Sequence, residues 1–120
     1  MRTAEDVIVS PADTLRETER RLAAQYGAGK VPKLLDAEDL ECEDTADVEH
    51  WVEVYTELLD FTRSLMETAS SSRTSAASDR ASEQASSDLR ALAYRARVQE
   101  LHLTYWSDRL QALRAASDRT

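Results

Sequence analysis

Glycine and proline occur only twice each in the 120 residues. That is too few to turn a chain repeatedly between strands, so a sheet-rich fold is excluded and helices are expected. Cysteine occurs once, at Cys42, which excludes an internal disulfide and a thiolate metal cluster. Long apolar runs are missing too: Val7–Ile8–Val9 is too short for the core of a signal peptide, and no stretch approaches the roughly 18 apolar residues of a spanning helix. A cytoplasmic protein without membrane contact is expected. There is no glycine-rich phosphate loop, no nucleophile elbow and no cluster of Ser, His and Asp at usable spacing, so neither an enzyme nor a cofactor is expected.

Base is the other scarcity, and it is local. Between Asp36 and Asp60 stand eleven acids and no Lys or Arg, while the whole chain has a net charge of -8. A belt of that density repels phosphates, which argues against nucleic-acid binding through this half. Residues 61–120 hold nine bases against seven acids, so the two halves differ in sign. Thirteen arginines against two lysines hint at a GC-rich, bacterial coding source. At this length one domain is expected, above the roughly 70 to 80 residues below which a core needs staples.

What the chain does have is helical periodicity, strongest in residues 45–69. Val48, Trp51, Val52, Tyr55, Leu58, Leu59, Leu65, Met66 and Ala69 follow the spacing of one helix face. Val54 and Phe61 fall beside that stripe, so the apolar sector is wider than one flanking helix covers. Ahead of it, Ser10-Pro11-Ala12-Asp13 carries the signature of a helix start, and Gly27 that of a stop. A first helix over 11–26 is expected, with the narrow stripe Leu15, Leu22 and Tyr26. Residues 28–44 read as a mostly irregular acidic connection with one helical turn, tacked down by Leu34, Leu35 and Leu40, and Val7–Val9 as a strand-like segment against the core. Asp44 then caps the central helix.

Residues 70–87 contain alanine as almost their only apolar residue and are expected to form a flexible, serine-rich turn or linker. The alternative is that the flanking helices extend through it and turn near Ser78, since the stretch lacks Gly and Pro. Residues 88–115 are helical again, with Leu92, Ala96, Leu103, Trp106, Leu110 and Leu113 on one stripe and Tyr94, Val98, Leu101 and Tyr105 beside it. Folding this helix back on the central one sets Trp51 opposite Trp106 and His102 opposite Tyr55. The same register sets Asp60 against Arg97 and Glu67 against Arg90. The expected fold class is therefore all-α: a long antiparallel helical hairpin plus a shorter N-terminal helix, completing a bundle by self-association.

Candidate sites are few. Trp51, Val54, Phe61 and Trp106 are candidate interaction residues on the wide apolar sector. Glu38, Asp39, Glu41 and Glu43 form a candidate docking belt for a basic protein, an inhibitor-like role. Asp47 and His50 carry the carboxylate-x-x-His spacing of metal-binding helical bundles, with Glu53 and Glu57 on adjoining turns, but no second such pair exists, because Gln99 stands three positions before His102. His102 is expected to be a partly buried hydrogen-bonding residue. Cys42 lies between Glu41 and Glu43, which disfavour its thiolate. Glu83, Ser87 and Arg90 open the ligand pattern of helical anti-sigma factors that bind a cyclic dinucleotide, but Tyr94 and Val98 break it, and no ligand residue is carried over. The expected function is a small non-catalytic interaction or regulatory protein, with a homodimer as the expected assembly.

Overall fold

The computed structural model describes residues 10–118. Among them are three helices and no strand: α1 (Pro11–Gln25), α2 (Thr45–Thr74) and α3 (Asp79–Asp118). Helix α1 starts where the sequence places it. The Ser10 side chain accepts a hydrogen bond from the Asp13 amide at 3.1 Å, and Pro11 takes the first turn, where no amide donor is needed. It ends in a Schellman motif: the Ala28 amide donates to the Ala23 carbonyl at 2.8 Å and the Gly27 amide to the Ala24 carbonyl at 3.2 Å. That closure needs a left-handed residue, and Gly27 supplies φ 72.

Asp44 caps α2, accepting from the amides of Ala46 and Asp47. The helix then runs five residues beyond its expected end, to Thr74, and α3 begins at Asp79, nine before its expected start. The expected flexible linker is thus corrected to two helical extensions joined by the short turn at 75–78. Ser, Ala, Arg, Glu and Gln carry only small helix penalties, and nothing in the stretch breaks a helix. Ser78 makes the second start, accepting from the Ala81 amide at 3.1 Å. Helix α3 also continues to Asp118, past residue 115. At about 1.5 Å per residue a helix of 40 residues spans ~60 Å, so α3 accounts for almost all of the molecule's 62 Å length.

Helices α2 and α3 pack along their length as an antiparallel hairpin. Trp51 stacks on Trp106 with ring centroids 6.3 Å apart, and Tyr55 on His102 at 4.8 Å. Both pairs have the register expected from the apolar stripes. The charged pairs do not. Arg97 bonds Glu100 on its own helix at 2.6 Å, and Arg90 lies over the Tyr26 ring. The ion pairs that do cross the hairpin are Arg63–Glu100 at 3.1 Å and Arg114–Glu49 at 2.6 Å. Exposed pairs are worth only about 0.2 to 1 kcal/mol each, so the apolar match sets the register and the arginines take whatever acceptor is in reach.

Helix α1 packs on α3 rather than on α2. It runs antiparallel to α3, since Glu19 meets His102 while Tyr26 meets Tyr94, ring centroids 5.4 Å apart. Ala12 and Leu15 join Leu40, Val48, Trp51, Tyr55, Tyr105 and Trp106 in one buried cluster. The connection over 26–44 has no helical turn; it crosses α3, held by Tyr105 donating to the Leu40 carbonyl and Arg109 donating to the carbonyls of Cys42 and Glu41. The core therefore lies at one end of the hairpin, and the other end is two helices alone. The strand-like packing expected of Val7–Val9 lies outside the described residues.

This topology makes an intrachain proximity that can be measured. With Cys42→Ser as background, Arg63→Cys and Glu100→Cys place two thiols at exposed positions bridged in the native chain by an ion pair. A short bismaleimide is expected to link them within one chain at low protein concentration, read as an intact mass with no dimer band. Linkage found only between chains would mean that the hairpin forms by exchange.

Candidate functional site

The chemistry of the molecule is concentrated around His102, halfway along α3. Glu19 of α1, Glu38 of the connection and His102 are 0%, 6% and 2% exposed. Charged and polar groups are rarely buried this deeply without partners, and here every one of them is paired. His102 Nε2 lies 2.9 Å from Glu19 Oε2 and Nδ1 lies 2.8 Å from Glu38 Oε2. An imidazole with a carboxylate oxygen at each nitrogen donates from both only as the imidazolium. Arg16 closes the Glu19 side, its guanidinium donating to Oε1 at 2.8 Å and to the Pro32 carbonyl at 3.3 Å.

Glu38 is the hub. Its Oε1 accepts from the Tyr55 hydroxyl at 2.6 Å and from the Leu35 amide at 3.1 Å, and its Oε2 accepts from Trp106 Nε1 at 2.8 Å in addition to His102. The backbone is bent to deliver it. Ala37 sits at φ 68, and the Glu38 amide donates to the Leu35 carbonyl at 2.9 Å. A left-handed residue other than glycine costs roughly 1 to 2 kcal/mol, which the four hydrogen bonds to the carboxylate offset.

Burial alone would raise the Glu38 pKa, but the hydrogen bonds from His102, Tyr55 and Trp106, with the charge of His102, outweigh it and hold the carboxyl below its ordinary value. Burial alone would lower the His102 pKa. The hydrogen bonds to Glu19 and Glu38, and their charges, outweigh it and push His102 up to about 9. Tyr55 is driven upward by burial and then by Glu38, which keeps its hydroxyl a donor. With both ring nitrogens engaged by carboxylates on opposite sides, His102 has no lone pair to offer a metal or a substrate. The arrangement stores charge and fixes geometry.

The candidate residues from the sequence scatter around this network. Trp51 and Trp106 are buried in the core, so these two are occupied within the chain, while Val54 is only half-buried against it. Phe61 is 61% exposed. Glu38 leaves the proposed docking belt altogether: its carboxylate points into the core, where an exposed acid was expected. Asp39, Glu41 and Glu43 stay exposed, Asp39 accepting from the Glu41 amide at 3.0 Å and Glu43 standing 3.9 Å from Arg109. Asp47, His50, Glu53 and Glu57 are all exposed, with His50 edge-on to Trp51 at 5.1 Å. Among the described residues no group of three His, Cys, Asp or Glu side chains is placed to hold a metal.

Glu19 was missed by the sequence reading although a signal was present. It sits between Leu15 and Leu22 at helical spacing, an acid in the middle of an apolar stripe. No protein-family model, curated protein or solved structure matches the chain.

The network has a pH signature. His102 is raised in the folded state, so its contribution is fully present below its ordinary value of 6.5 and is lost as pH rises to about 9. Glu38 is lowered, so its contribution is present above its ordinary value of 4.5 and is lost as pH falls through the folded value. Urea unfolding is expected to show greatest stability at mildly acidic pH, with a decline on the alkaline side on the order of 3 kcal/mol. In His102→Gln that alkaline decline should vanish while overall stability drops. An alkaline slope identical in wild type and variant would remove His102 as its source.

Proposed function

We propose that this chain is a small non-catalytic interaction protein that acts by protein–protein contact and pairs with a second copy of itself along α2. The observation that carries the reading is Phe61, a large apolar side chain 61% exposed in the middle of a long helix. It does not stand alone. Val54, Leu58, Phe61 and Leu65 follow one another at helical spacing, and the three that flank Phe61 are only half-buried. A contiguous apolar stripe of this kind is unusual on a surface that meets only water.

Beside the stripe α2 carries Glu53, Glu57 and Asp60 against Arg63, while from 61 to 92 four acids are matched by four bases, so the turnward half of the hairpin carries no net charge. Two antiparallel hairpins joined along α2 form a four-helix arrangement, the simplest closure for a pair of long helices with one covered and one open side. Among the described residues no helix is long and apolar enough to cross a membrane, and Cys42 as a free thiol suits a reducing, cytoplasmic setting for such an assembly.

Phe61→Glu tests this directly, because a side chain exposed within its own chain can be changed without disturbing that chain's core. Sedimentation at high micromolar concentration is expected to give a dimer for wild type and a monomer for the variant, with unchanged helicity. A monomeric wild type, or a variant that sediments as wild type does, would contradict the proposal.

A further inference from the structure

We propose that the cavity between the connection, α2 and α3 is a binding site for a small organic monocarboxylate with an apolar, planar body and an N–H or O–H at its inner end. The cavity has a volume of about 430 Å³, within the range of small-molecule sites. Its walls are mostly apolar, formed by Leu35 and Pro32 from the connection, Leu58 from α2 and Val98 from α3. Leu35 is one of two large apolar side chains exposed on the described surface, and a molecule seated there would cover it.

Two polar groups in the wall lack partners. The Tyr94 hydroxyl and Gln99 Oε1 are buried without a hydrogen bond, and Gln99 as a whole is 7% exposed. Leaving such a group unpaired costs roughly 1 to 3 kcal/mol. Turning the Gln99 amide over does not help, since it exchanges an unpaired acceptor for an unpaired donor. These are the only buried side-chain polar atoms without a partner among the described residues, and both belong to residues lining the same cavity. In a molecule that satisfies even a buried Glu-His-Glu cluster, their coincidence points to a ligand that supplies the missing bonds.

The charge at the entrance selects the other end of that ligand. Lys33 and Arg95 line the cavity and are exposed, and neither makes an ion pair or hydrogen bond with a described residue. Two uncommitted cations beside one apolar cavity, in a chain of net charge -8, suit a single negative charge held at the lip. His102 also lines the wall, but both its nitrogens are engaged, so it contributes only a flat face. A carboxylate at the lip, a ring against Leu35, Leu58 and Val98, and a donor reaching Gln99 together meet the two cations, the apolar wall and the unpaired Gln99 acceptor.

The test uses the full ¹⁵N-labelled chain and three probes: indoleacetate, tryptophol, which keeps the ring without the carboxylate, and naphthylacetate, which keeps the shape without the N–H. Indoleacetate is expected to shift the amides of Lys33, Tyr94 and Gln99 saturably, with each of the other two binding about fivefold or more weaker. The Lys33→Gln/Arg95→Gln double variant should lose the preference for indoleacetate over tryptophol, and Gln99→Leu the preference over naphthylacetate. Should Gln99→Leu fail to fold, the exposed double variant still decides. No saturable shift with indoleacetate at about 1 mM, equal binding of the three probes, or preferences that survive in both variants would overturn the proposal. The oligomer reading is tested separately through Phe61, which does not line the cavity, although Leu58 belongs to both the stripe and the cavity wall.

Discussion

The rest of the structure depends on how two buried carboxylates are neutralised. Removing an ion from water costs several kcal/mol even after relaxation, and the cost is recovered only where opposite charge and hydrogen bonds meet it from all sides. Glu19 and Glu38 are met by His102 between them and by Arg16 outside, which balances the charge within the cluster. The cluster joins different parts of the chain: Arg16 and Glu19 from α1, Glu38 from the connection and His102 from α3, with Tyr55 of α2 closing the set. Removing any one strands the others in a dry core, which is why breaking such a cluster typically costs about 3 to 5 kcal/mol. The arrangement adds specificity where the apolar stripes are weakest, since α1 alone has too narrow a face to fix its own docking.

That division shapes the whole molecule. At the clustered end, three helices and the connection enclose Trp51, Tyr55, Tyr105 and Trp106, and Arg90 draws the C-terminus of α1 onto α3 by donating to the Gln25 carbonyl and covering Tyr26. Toward the turn at 75–78, α2 and α3 continue without a third element. Serine and alanine keep these extensions slim enough to pack as a pair, with Ala85 buried between them. One end is locked by charge and aromatic packing; the other offers surface.

Much of this is legible in residue order, and the boundary of legibility has a physical cause. Periodicity placed the two long helices and paired Trp51 with Trp106 and Tyr55 with His102, because apolar spacing is a local property that packing preserves. Caps at Ser10 and Asp44 were equally readable. The helical state of 70–87 was not, since an alanine- and serine-rich stretch has no stripe to read and becomes helical by extension of its neighbours. Glu38 was misread for a different reason: among eleven acids nothing marks the one that turns inward, and its direction is set by the bend at Ala37 and by partners 17, 64 and 68 residues away in sequence. Glu19 lay between those cases, visible as an acid inside an apolar stripe yet meaningful only once His102 is known to face it.

The most direct test of this account is the protonation state of His102 in the folded protein. Ring ¹⁵N spectra recorded at pH 7.5, with a His50→Gln variant to assign the signals, separate an imidazolium from either neutral tautomer. The account requires both Nδ1 and Nε2 of His102 to carry protons at that pH, with couplings to the carboxylates on each side. A single neutral tautomer would contradict it, because one of the two carboxylates would then face an unprotonated nitrogen in the middle of the core.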